Sequence, residues 1–102
     1  MKDVSTEDLL CMLQTITTDK DESEQNRETA IRMIMAIGDA SRVVMDETTA
    51  ARTMRAQGLE IAAKWKITCA QQQAAAVKAT VLSIAEVLFP SQMKQIREDE
   101  GE

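Results

Sequence analysis

The chain has 102 residues, a mass of 11.3 kDa, no histidine and a formal charge of −5, with a pI near 4.7. That length suits a single helical domain (1–102) with one core. Without histidine, imidazole acid–base couples, Ser/His and Cys/His nucleophile pairs and imidazole metal sites are excluded. Aromatic residues are only 2% of the chain, and strands usually draw on aromatic and β-branched side chains, so an all-α fold is expected.

The first helix is announced by Val4-Ser5-Thr6-Glu7-Asp8-Leu9. Ser5 is placed to accept a hydrogen bond from the N–H of Asp8, with Val4 and Leu9 at the positions of a hydrophobic staple around that cap. Leu9, Leu10, Met12, Leu13 and Ile16 supply an apolar face, and the β-branched run Thr15–Thr18 weakens the helix. The pattern predicts a helix over about 6–17. Its length is roughly 18 Å at about 1.5 Å per residue.

After a charged loop from Asp19 to Glu24, Asp21 or Ser23 can cap a second helix. Ala30, Met33, Ile37, Ala40, Val44, Glu47, Ala51 and Met54 then recur at steps of three and four, the spacing of a helix buried along one seam. The phase holds across Gly38, so one helix over about 24–57 is expected, with a kink at Gly38 as the alternative. Gly58 suits the left-handed residue that closes a helix, with Leu59 brought opposite Met54.

A third helix over about 59–89 carries the matching seam: Ala63, Ile67, Ala70, Ala74, Val77, Val81, Ile84 and Leu88. A reversal at Gly58 folds the two seams into a long antiparallel hairpin in which small residues face larger ones. Glu47, the single polar residue in either seam, then needs Lys66 or Gln73 as its partner. The shorter first helix packs at the open end, over Ile31, Ile34, Leu82 and Phe89. Pro90 stops the third helix, because it lacks an N–H and clashes with the preceding turn. One or two helical turns over 91–97 and an acidic tail over about 98–102 complete the reading.

Chemistry-bearing motifs are scarce. The three glycines stand apart at Gly38, Gly58 and Gly101, so no phosphate-binding loop is present. The acid clusters Asp19/Asp21/Glu22 and Glu98/Asp99/Glu100 lack a calcium-loop pattern and read as solvated surface. Cys11 and Cys69 are too few for a disulfide framework or metal site and are expected to be free thiols, with Cys69 in the more basic surroundings. No cofactor and no metal are expected, and the chain is read as non-enzymatic. Its start lacks the charged and apolar regions of a signal peptide, and no run approaches eighteen apolar residues, so a cytoplasmic protein without membrane contact is expected.

Charge is unevenly distributed. Residues 48–78 hold five bases and one acid, whereas residues 1–47 hold five bases and eleven acids. Within the basic stretch, Ile61 and Trp65 lie off the seam, surrounded by Arg52, Arg55, Lys64 and Lys66. Trp and Arg dominate interface energetics, so these six residues are the candidate partner-binding site at the hairpin tip. The expected partner is an acidic protein, and apolar residues outside the seam (Ile61, Trp65, Met45, Leu82) also point to a homodimer or higher homo-oligomer. A nucleic-acid-associated regulator using the basic segment 48–78 is the alternative. The acidic surroundings and the long helices flanking Gly58 weigh against a helix-turn-helix.

Overall fold

A computed structural model describes residues 4–100. The chain is all-helical: α1 is Thr6–Thr17, α2 Glu24–Ala56, α3 Glu60–Leu88 and α4 Pro90–Glu100. Among the described residues there is no strand. As the two seams predict, α2 and α3 pack as a hairpin. The described residues gather into two compact units, one formed by the chain up to Met35 and from Thr80 onward, the other by Ala36–Ala79.

The first unit holds the large core. The Ser5 hydroxyl accepts from the Asp8 N–H at 3.1 Å, capping α1 as its sequence dictates, and the staple residues Val4 and Leu9 are both buried. At the other end, the hydroxyls of Thr15, Thr17 and Thr18 donate to the carbonyls of Cys11, Gln14 and Thr15. The carbonyls of Gln14 and Thr15 lie in the last turn, where the helix leaves them without their usual partners, and the threonine hydroxyls supply donors there. Of the two proposed caps for α2, Ser23 is the one used: its Oγ accepts from the Asn26 N–H at 3.1 Å, while Asp19 bonds the Asp21 N–H within the loop.

The core of this unit comprises Leu9, Met12, Leu13 and Ile16 of α1, Ala30 and Met33 of α2, Val81 and Ala85 of α3, and Phe89 and Met93. This corrects the end of the predicted seam. Ile84 and Leu88 are 40% and 37% exposed, and Ala85 and Phe89 are buried in their place. Steps of four residues from Val81 turn the buried side by about 40° each, away from the two-helix seam and into the larger core. Ile31, expected beneath α1, is 46% exposed.

The C-terminal segment also differs from expectation. Phe89 ends one helix and opens the next, its N–H donating to Ala85 O and its carbonyl accepting from the Met93 N–H. Pro90 takes the first helical position, where a missing N–H costs nothing, and the chain bends by 115° there. Instead of one or two turns, α4 extends to Glu100 and packs against α1. Most of the expected acidic tail is therefore helical, and residues 101–102 lie outside the described residues. Arg97 of α4 pairs with Glu86 of α3. Hydrogen bonding from the guanidinium, helped by its charge and opposed by desolvation, holds the Glu86 carboxyl below the usual carboxylate value and raises Arg97.

The second unit is the turn end of the hairpin. Gly58 has φ +81°, and its N–H donates to Arg55 O at 2.9 Å while that of Leu59 donates to Met54 O at 2.9 Å. Those two bonds define the Schellman closure of α2. Gly38 does not break α2, and a Cβ there would meet open space. Burial in this unit is limited to small contacts: Ala51, Ala63, Ala70 and Ile37 are its buried apolar residues.

Candidate protein-interaction surface

Two surfaces meet at Trp65. Its side chain is 66% exposed, and that of Ile61, one turn earlier on α3, is 80% exposed. Ile61, Lys64, Trp65, Thr68 and Gln72 line a shallow groove on the outer face of α3, about 380 Å³ in volume. These residues recur at helical spacing and lie off the seam Ala63, Ile67 and Ala70, which explains why a helix that buries its alanines displays its tryptophan.

The second groove, of about 640 Å³, lies between the two arms. From α2 it takes Val43, Glu47 and Met54. From α3 it takes Ala62, Trp65, Lys66, Cys69, Ala70 and Gln73. Sequence reasoning missed most of this set, although a signal was present: Ala62, Lys66, Cys69 and Gln73 repeat the seam Ala63, Ile67, Ala70 and Ala74 one residue earlier. They form a stripe along the lip of the helix contact.

Electrostatics divide the predicted site. Lys66 Nζ lies 3.0 Å from Glu47 Oε2, so of the two partners expected for Glu47 it is Lys66 that pairs with it. Arg55 lies 3.9 Å from Glu60 across the turn. Lys64 and Arg52 are exposed, and among the described residues neither has a carboxylate within ion-pair distance. The six predicted residues thus sort into three groups. Ile61, Lys64 and Trp65 share the outer groove, Lys66 joins Trp65 in the inner groove, and Arg52 and Arg55 line neither. Two of the four predicted cations have their charge answered from within the unit.

The thiols are separate. Cys69 is half-buried on the inner groove, and Cys11 is exposed beside a groove of about 320 Å³ where α1 meets α4. Among the described residues no group of acidic or thiol side chains converges to hold a metal ion, and no single helix is long and apolar enough to cross a membrane.

No protein family, curated protein or solved structure was found to match this chain.

Proposed function

We propose that the chain is a non-enzymatic protein-interaction module, of the kind that serves as an adaptor, inhibitor or assembly factor, and that it engages an acidic protein partner through the outer face of α3. The observation that carries this reading is the pairing of exposed Ile61 and Trp65 with unpartnered Lys64 in one groove. Tryptophan supplies a large apolar contact with few rotatable bonds. An adjacent lysine without an internal partner favours a carboxylate on the incoming surface, and charge complementarity of this kind raises the association rate and suppresses wrong partners. Arg52, exposed and unpaired, adds to the same field.

Nucleic-acid binding through residues 48–78 has less support, because Lys66 and Arg55 already face carboxylates. Phosphate recognition draws its affinity from cations free to displace counterions.

Affinity capture from a cell extract tests the reading. A protein retained by the wild-type chain and lost with both Trp65→Ala and Lys64→Glu supports it. Equal capture by all three chains, each with unchanged helical circular dichroism, overturns it. Retention of duplex or single-stranded nucleic acid at low salt, removed by the same Lys64→Glu change, would favour the alternative.

A further inference from the structure

We infer that the inner groove of the second unit, lined by Val43, Met54, Ala62, Trp65 and Cys69, is covered by the same groove of a second copy, so that two hairpin ends join as a four-helix bundle. This site shares Trp65 with the outer groove, its remaining lining residues lie on a different side of α3, and the inference does not rest on the partner proposed above.

The unit's own core is the first reason. Over residues 36–79 the buried apolar side chains are three alanines and Ile37, while Val43 and Trp65, both on the inner groove, are exposed. Alanine burial removes little apolar surface from water, and burial of large side chains is the main favourable term in folding. Two helices that bury chiefly alanine need further helices against them. A chain that requires a cover in order to pack is best served by a partner always present in equal amount, which a second copy is.

The shape of the face is the second reason. A two-fold interface sets a surface against itself, so it must carry both a projection and a recess. Here Trp65, 66% exposed, is the large side chain to project, and the small residues Ala62, Cys69 and Ala70 line the same groove beside it. Its charge is also self-compatible. Glu47 and Lys66 neutralise one another at 3.0 Å, and a like-charged face would repel its own copy.

Area is the third. Each arm of the unit is about 20 residues, or about 30 Å, and two adjacent helices present a face about 20 Å wide, so each copy offers roughly 600 Å². Two such faces remove about 1,200 Å², the lower edge of the range for stable specific interfaces.

Because Trp65 is the only tryptophan, its fluorescence reports on the groove directly. The wild-type chain should sediment at twice 11.3 kDa at about 100 µM, and its emission should shift to longer wavelength on dilution as Trp65 returns to water. Ala62→Glu, at an exposed position, should give a monomer with the red-shifted emission at all concentrations. Ile61→Asp, on the other face, should leave the dimer intact. A monomeric wild-type mass at 100 µM would overturn the inference, as would a dimer whose Trp65 emission does not move with dissociation or whose mass survives Ala62→Glu. Should Ala62→Glu fail to fold, dilution of the wild-type chain still decides. Loss of partner capture by Trp65→Ala and Lys64→Glu, with a monomeric wild type, would leave the proposed function standing and remove only this interface.

Discussion

Lys66 of α3 meets Glu47 of α2 at 3.0 Å, each side chain about one-third exposed, at the one place where either hydrophobic seam carries a charge. The pair ties the arms together beside Trp65. It also removes Lys66 from the cations available to a partner. A double-mutant cycle with Glu47→Gln and Lys66→Gln should give a coupling of about 1 kcal/mol in chemical denaturation, the upper end of the range for exposed pairs, because each side chain is about two-thirds buried. Zero coupling would mean that the pair contributes nothing to holding the arms.

The two structured glycines should respond in opposite directions. Gly58→Ala places a Cβ on a residue with φ +81° and should destabilise the chain by about 1 kcal/mol or more. Gly38→Ala adds a methyl group to an uninterrupted helix with open space around it and should stabilise by up to about 1 kcal/mol. Thermal melts of the two variants check both signs. A loss of stability in Gly38→Ala would reveal a need for flexibility at that position.

Core substitutions should divide the molecule. Phe89→Ala and Leu13→Ala empty fully buried positions in the first unit and should cost about 3–5 kcal/mol. Ile61→Ala alters an exposed side chain and should stay within about 0.5 kcal/mol of wild type. Comparable losses at Ile61 and Phe89 in urea denaturation would show that the outer face is buried in solution.

The Arg97–Glu86 pair fastens α4 to α3 within the first unit. Because the Glu86 carboxyl is held below its ordinary value by Arg97, its contribution is complete above the unfolded carboxylate pKa of about 4.3. That contribution is lost as pH falls through the lower folded value. Glu86→Gln should therefore melt below wild type at pH 7, and the gap should close toward pH 3. Both side chains are partly exposed, so the gap should be small and shrink in high salt. A gap that widens at low pH would contradict this assignment.

Features that depend on a few neighbouring residues were legible in the amino-acid order. Ser5 before Asp8, Gly58 after Met54 and Pro90 after Phe89 set caps, a reversal and a stop through local dihedral preference and hydrogen bonding. The three/four spacing from Ala30 to Met54 and from Ala63 to Val81 identified one hairpin because a helix rotates by a constant angle per residue. What only the tertiary structure decided is where a second surface enters. Ala85 and Phe89 replace Ile84 and Leu88 in the core because the α1 and α4 side chains gather around that end, and a period counted for two helices carries no knowledge of further ones.

The candidate site shows the same division. Residue spacing marked Ile61 and Trp65 as apolar residues off the seam, and their exposure follows from that position. Which cations remain free did not follow. Arg55 finds Glu60 across the turn, and Lys66 finds Glu47 across the arms, contacts set by how closely two backbones approach. Lys64 keeps its charge available because it lies on the outer side of α3, next to the buried Ala63, where among the described residues no carboxylate comes within ion-pair distance.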